Sequence, residues 1–313
     1  MRPVLYFARA LPGARLEALR ELFDLRGNTP RPVPREQRVA EARDAAVLAV
    51  TYLDRVDAPL LAALPGLRHV ASYGVGVNHL DLEAARARGV LVTNTPGVLT
   101  DATAVLAMAL LLAAARRVAE GDRVVRAGGW TDPDPSWMLG TEVTGKVLGI
   151  VGFGRIGQAV ARRAAGFGMR VIYAHPRAVE LPGAERAELD DLLARSDFVS
   201  LHVPLTPATE NLFSRERIGR MKPGAVLVNT ARGSVVDDAA LAEALASGHL
   251  AAAGLDVFRD EPRVPEAFLR LPNAVLTPHL GSGSRETRTA MTRLVTDEIE
   301  RVARGDEPRF RVV

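Results

Sequence analysis

The sequence predicts an α/β protein built on two parallel sheets in succession, and three observations predict it. Short apolar runs alternate with helical patterns through most of the 313 residues, the pattern of βαβ units. The runs fall into two sets separated by one long apolar helix. The second set opens on a glycine-rich turn between a strand and a helix. A chain of this length can form two hydrophobic cores. Its 48% hydrophobic and 25% charged residues are those of an ordinary globular protein.

The first strands are read at residues 3–7, 46–50, 68–72 and 90–93, with helices such as 13–23 and 82–88 between them. A helix over about 100–120 follows. Ala and Leu occupy nearly all its sides, so it is expected to be buried in a core or at an interface. Gly128-Gly129-Trp130-Thr131-Asp132-Pro133-Asp134-Pro135-Ser136-Trp137 reads as an extended loop. The second set is read at 147–151, 170–174, 198–202, 225–229, 251–256 and 274–277. Six strands complete a doubly wound domain. The last helix, about 286–304, is expected to pack back on the first domain.

The most informative stretch joins the strand at 147–151 to a helix expected at 158–167. It reads Gly152-Phe153-Gly154-Arg155-Ile156-Gly157. Gly152 allows a tight turn, Gly154 keeps side chains off a pyrophosphate, and Gly157 lets helix and strand pack closely. The free amides and the positive end of the helix dipole then face phosphate. Between a strand and a helix, with another strand after it, the motif predicts dinucleotide binding. An acid about 20 residues further on would select NAD by gripping its ribose 2′-hydroxyl. This chain has His175-Pro176-Arg177 there, and the first acid downstream is Glu180. His and Arg suit a 2′-phosphate, so NADP(H) is favoured. NAD(H) stays open if His175 and Arg177 are only solvated loop residues.

Strand ends of an open α/β sheet point into the ligand crevice. Arg232, Glu261 and His279 follow three such ends. Reduction of a 2-keto acid calls for this set. A guanidinium binds the carboxylate and polarises the ketone. An imidazolium protonates the forming alkoxide, and a carboxylate beside it orients and stabilises the charged ring. Each alone also has a structural reading, as a surface ion pair, a turn residue or a cap. Asp256 is expected either to orient the nicotinamide or to hydrogen-bond structurally. His202 is expected near the cofactor, and His69, His79 and His249 are read as structural or exposed.

The chain has no cysteine, which excludes disulfides, thiolate metal sites and a cysteine nucleophile. No metal site is expected. The formal charge is +3, but the arginines are scattered among acids rather than gathered in the basic stripe that nucleic acid requires. The most apolar segment, residues 102–115, is too short to span a bilayer. The N-terminal run reads as a strand rather than a leader, so a cytoplasmic location without membrane or nucleic-acid partners is expected.

These motifs together resemble the D-isomer-specific 2-hydroxyacid dehydrogenase family over residues 73–289. The resemblance rests on the glycine turn, Leu201-His202-Val203-Pro204-Leu205-Thr206, Asn229-Thr230-Ala231-Arg232-Gly233, Asp256-Val257-Phe258 with Glu261-Pro262, and Pro278-His279-Leu280-Gly281-Ser282. It implies a flavodoxin-like substrate domain (residues 1–98 and 286–313), a doubly wound dinucleotide domain (99–285), a cleft between them and a homodimer. It implies that Arg232 binds substrate, that His279 is the acid/base and that Glu261 is its partner. Val75 and Gly76, in Tyr73-Gly74-Val75-Gly76, would hold the substrate carboxylate. Thr103, Arg155, Ile156, Val203, Pro204, Thr209, Thr230, Ala231 and Gly281 join the glycines, His175, Arg177, His202 and Asp256 as expected cofactor contacts. Val105 departs from the family pattern, where many relatives carry an acid, and His175 departs at the strand tip. The subgroup resembled is the glyoxylate and hydroxypyruvate reductases. The implied function is reduction of a small 2-keto acid to a D-2-hydroxy acid. The alternatives are NAD-dependent oxidation of a phosphorylated or sugar-derived hydroxy acid, or a non-catalytic dinucleotide sensor. Trp137 is read either as a wall of the substrate pocket, across a dimer interface, or as an anchor of its own loop.

Overall fold

A computed structural model describes residues 2–13, 16–31, 33–132 and 134–313. Met1, Ala14, Arg15, Pro32 and Pro133 lie outside them, as do the parts of the N-terminal run, the 13–23 helix and the 128–137 loop that they occupy. The chain divides into two compact units, Met1–Leu99 with Ser284–Val313, and Thr100–Gly283.

The first unit begins with β1 (Val4–Phe7), α1 (Leu16–Leu22), β2 (Asp24–Gly27), α2 (Arg35–Glu41) and β3 (Ala45–Thr51). It continues with α3 (Ala58–Ala63), β4 (His69–Tyr73), α4 (Leu82–Ala87) and β5 (Leu91–Thr93). The five strands are parallel in the order β2-β1-β3-β4-β5, the flavodoxin-like order. β1 and β4 are buried along their whole length, as expected of parallel strands covered on both faces. β2 escapes a reading of apolar runs because its sequence is Asp-Leu-Arg-Gly, an edge strand with one apolar side chain.

The second unit starts with α5 (Thr100–Ala115) and α6 (Val118–Arg126), where the sequence suggested one helix to residue 120. The chain breaks at Arg117, which is left-handed at φ 54°. Its guanidinium then holds Glu120, three residues on, at 2.8 and 2.9 Å. α5 is buried on one side, including Ala104, Ala107, Leu110 and Leu111, while Val105 is exposed. Among the described residues no single helix is long and apolar enough to cross a membrane. α5 and α6 together have the length and composition but are bent by 62°.

The remaining elements are β6 (Val147–Val151), α7 (Arg155–Ala165), β7 (Arg170–Ala174), β8 (Ala184–Arg186), α8 (Leu189–Arg195) and β9 (Phe198–Leu201). After them come α9 (Arg215–Arg220), β10 (Ala225–Asn229), α10 (Asp238–Ala246), β11 (Leu250–Leu255), α11 (Glu266–Leu269) and β12 (Ala274–Leu276). The strands form a parallel sheet in the order β12-β11-β10-β9-β6-β7-β8. That is seven strands where the pattern suggested six. The extra one, β8, is a three-residue edge strand beside β7. The last helix, α12 (Arg285–Ala303), belongs to the first unit. The Tyr73 hydroxyl donates to the Arg288 carbonyl at 3.0 Å, and Thr292 donates to the Pro12 carbonyl at 2.7 Å. Buried Glu298 accepts from the amides of Arg309 and Phe310, which fixes the C-terminal residues.

Candidate active site

The glycine turn is built as its spacing requires. Gly152 has φ +92°, and a Cβ there would lie 2.5 Å from the His202 carbonyl oxygen. At Gly157 a Cβ would lie 2.2 Å from the Gly152 carbonyl oxygen. Gly154 has open space within 4 Å of where its Cβ would be. It caps α7, which starts at Arg155 rather than at residue 158 as the pattern suggested. The third glycine therefore sits inside the first turn, where helix packs on strand. Exposed Gly154 and Arg155 and half-buried Ile156 leave the start of α7 open to solvent. A pyrophosphate fits this turn without displacing any side chain.

Other expected cofactor residues follow the ends of β7 and β9, the two strands that flank β6. His202 shares a 2.8 Å hydrogen bond between its Nε2 and Ser200 Oγ, and burial pushes its pKa down to about 3, so the ring is neutral. The Thr209 hydroxyl donates to the Pro204 carbonyl at 2.6 Å and accepts from the Thr206 amide at 2.8 Å, which fixes the turn carrying Val203 and Pro204. At the tip of β7, His175 Nδ1 faces both backbone groups of Arg177, its amide at 3.2 Å and its carbonyl at 3.0 Å. Arg186, which sequence reading missed, donates to the carbonyls of His175 and Pro176. The only sequence signal for it is a basic residue on a strand too short to read.

Three strand-end loops meet next to one another. After β10, Asn229 accepts from the Ala231 amide at 2.9 Å and donates to the Arg232 carbonyl at 2.9 Å, so the bend before Arg232 is fixed. Thr230 and Ala231 are buried in it, and the Thr230 hydroxyl has no hydrogen-bond partner. Arg232 is half-buried and extended, with Nη1 donating to the Ala231 carbonyl at 2.6 Å. A Cβ on Gly233 would sit 2.0 Å from the Phe258 carbonyl carbon. Only glycine lets the Arg232 loop rest on the backbone of the loop after β11. That second loop turns back so that Glu261 Oε1 accepts from the Phe258 amide at 3.0 Å. Its other oxygen, Oε2, accepts from His279 Nδ1 at 2.7 Å.

His279 is left-handed at φ 53°, a strained conformation for a residue with a side chain. The surroundings hold it there. Its amide donates to the carbonyls of Asp256 and Thr277. Asp256 is fully buried, and its carboxylate accepts from the Thr277 hydroxyl and the amides of Leu280 and Gly281 at 2.6–2.8 Å. Burial raises the Asp256 pKa, while those three bonds pull it the other way. Asp256 therefore scaffolds the turn that presents His279. Thr103, at the start of α5, is buried beside Gly281.

In the first unit, Gly74, Val75 and Gly76 form the bend after β4. Asn94 donates to the Val75 carbonyl at 2.8 Å, and the Thr95 amide donates to the Gly74 carbonyl at 3.0 Å. Among the described residues, no group of three or more His, Cys, Asp or Glu is placed to hold a metal ion. His69 is buried against Thr93, and His249 bonds the Ile218 carbonyl at 3.1 Å.

Residues 108–281 match the sequence model described as D-isomer specific 2-hydroxyacid dehydrogenase, NAD binding domain. The chain belongs to the D-isomer-specific 2-hydroxyacid dehydrogenase family. A nicotinamide dinucleotide is its cofactor type, in line with the glycine turn. A glyoxylate reductase of Thermococcus kodakarensis is 47% identical, covering 98% of this chain and 95% of that protein. The TT0316 protein of Thermus thermophilus superposes with a TM-score of 0.94 at 48% identity, covering 99% of this chain and 100% of that one. An NADPH-dependent glyoxylate/hydroxypyruvate reductase of Sinorhizobium meliloti, solved with NADP and malonate, gives a TM-score of 0.87 at 35% identity, covering 100% and 97%.

Proposed function

We propose that this chain reduces glyoxylate, hydroxypyruvate or a similar small 2-keto acid to the D-2-hydroxy acid, with NADPH preferred over NADH. The observation that carries the reading is the 2.7 Å pair of His279 Nδ1 and Glu261 Oε2, with Glu261 held by the Phe258 amide. That carboxylate fixes the ring and leaves Nε2 as its working proton donor. The bound dinucleotide supplies the hydride. Arg232 binds the substrate carboxylate and polarises the ketone. His279 delivers its Nε2 proton to the oxygen as it becomes an alcohol, and Glu261 stabilises the imidazolium beforehand. A non-catalytic sensor has no use for this proton donor.

The cofactor preference is supported by the β7 tip, where His175 and Arg177 stand in place of an acid. A homodimer is supported by the exposed apolar side chains that run from α5 through the following loop: Val105, Val118, Val125, Trp130, Trp137 and Leu139. Six such side chains within one stretch of sequence suit a surface that a second copy covers.

The test is initial rates with glyoxylate and hydroxypyruvate, NADPH against NADH, for the parent and for His279→Asn. Turnover by the parent, better with NADPH, and its collapse in His279→Asn are expected. Full turnover by the variant refutes the mechanism. Better rates with NADH refute the cofactor preference alone, and no turnover by the parent moves the reading to another hydroxy acid or to a sensor.

A further inference from the structure

The loop after β7 is where a dinucleotide fold distinguishes a ribose hydroxyl from a 2′-phosphate. Here that loop is tied at both ends. At one end the Tyr173 hydroxyl donates to the Val179 carbonyl at 2.8 Å and accepts from its amide at 2.9 Å. The Tyr173 ring is stacked on Phe153 of the glycine turn, with centroids 3.9 Å apart. At the other end Arg186 donates from Nε to the His175 carbonyl and from Nη2 to the Pro176 carbonyl, both at 3.2 Å. The parallel register of β8 on β7, with Tyr173 opposite Arg186, brings the guanidinium there.

This arrangement turns the acceptors of the strand tip toward protein donors. A ribose 2′-hydroxyl wants an acceptor at the strand tip. The carbonyls of His175 and Pro176 each accept from Arg186, and His175 Nδ1 faces both the amide and the carbonyl of Arg177, at 3.2 and 3.0 Å. The Arg177 side chain and the remaining N–H groups of Arg186 add further donors and positive charge. Cationic donors at a strand tip that has no carboxylate suit a phosphate better than a hydroxyl.

We propose that Arg186 is a positioning and specificity residue for the cofactor 2′-phosphate. It caps the two carbonyls that would repel the phosphate, holds His175 and Arg177 in place, and adds its own charge. The inference rests on the NADPH preference proposed above.

The experiment compares Arg186→Gln and Arg186→Lys with the parent, measuring kcat and KM for NADPH and NADH and inhibition by 2′,5′-ADP against 5′-AMP. Arg186→Gln is expected to raise the NADPH KM and weaken 2′,5′-ADP by about tenfold to a hundredfold, the worth of a charge-assisted hydrogen bond. The NADH KM and the 5′-AMP inhibition should stay within about twofold on the same argument. Arg186→Lys keeps the charge but not the two-pronged bond, and should fall between. Equal losses with both cofactors would reduce Arg186 to a fold residue and overturn the inference. An unchanged NADPH KM in a parent that prefers NADPH would overturn it while leaving the preference standing. A parent that prefers NADH would overturn both.

Discussion

Replacing Glu261 by Gln tests the proton donor most directly, because the structure dictates how the amide must sit. Glu261 Oε1 accepts from the Phe258 amide at 3.0 Å, and Oε2 faces His279 Nδ1 at 2.7 Å. Gln has one acceptor, and the Phe258 amide claims it. The NH2 group then points at Nδ1. It can donate only to a neutral ring, and against the imidazolium it sets donor against donor. The variant loses a charge-assisted bond of about 1.5–3 kcal/mol and gains an unpaired donor costing about 1–3 kcal/mol. At about 1.4 kcal/mol per decade, a net 3–4 kcal/mol lowers kcat/KM by about two to three orders of magnitude. Turning the amide over only moves the conflict to the Phe258 amide. The assay is glyoxylate reduction followed at the nicotinamide absorbance, with thermal melts to show that the fold is intact and the NADPH KM to show that the cofactor still binds. A variant that melts like the parent and keeps kcat/KM within about threefold, far short of that estimate, refutes the reasoning.

The two later glycines of the turn should separate folding from binding. Gly154→Ala, with open space around its Cβ, should leave the melting temperature unchanged and raise the cofactor KM. Gly157→Ala, 2.2 Å from the Gly152 carbonyl oxygen, should destabilise by about 1–3 kcal/mol in urea titration. Asp256→Asn must put its NH2 against a backbone amide or the Thr277 hydroxyl. It should therefore cost about 1–3 kcal/mol of stability and lower kcat as the His279 turn loosens; unchanged melting would refute the scaffold role. Burial pushes His69 down to about 4, so the folded chain refuses a proton that the unfolded chain takes up at about pH 6.5. The His69 contribution is intact above that pH and falls by about 1.4 kcal/mol per pH unit down to about pH 4. His69→Gln should flatten the acid limb of the stability profile.

Local features of this fold were legible where one short stretch decides them. Gly152 turns the chain and Gly157 seats helix on strand as their spacing implies, and the apolar runs locate nearly every strand of both sheets. The reading failed where a single residue overrides a pattern. Arg117 turns left-handed and ends a helix that Ala and Leu would carry on, and β8 is too short to show periodicity. It failed also where partners are distant in sequence. Asp256 was visible as a polar strand end, but its hold on the amides 24 and 25 residues later was not. Gly233 stood in the sequence only as the end of the Asn229–Gly233 run, and it is the contact that seats the Arg232 loop on the Phe258 backbone.

Those hidden contacts join the visible parts into one site. Arg232, Glu261 and His279 follow three different strands, so their relative placement depends on ties between loops rather than on any one of them. Gly233 ties the first loop to the second, Glu261 ties the second to the third, and Asp256 ties the third back to the end of β11. The first and last ties rest on backbone groups, and the middle one is the Glu261–His279 pair, itself held by the Phe258 amide. Such contacts allow little drift, and proton transfer needs donor and acceptor held within about 3 Å. A site linked in this way should lose proportionately more activity than stability when one tie is cut, because the sheet beneath remains packed. It follows that the activity losses of Glu261→Gln and Asp256→Asn should not add in the double variant, since both act through the orientation of one imidazole. Additive losses would mean that the two carboxylates serve separate steps.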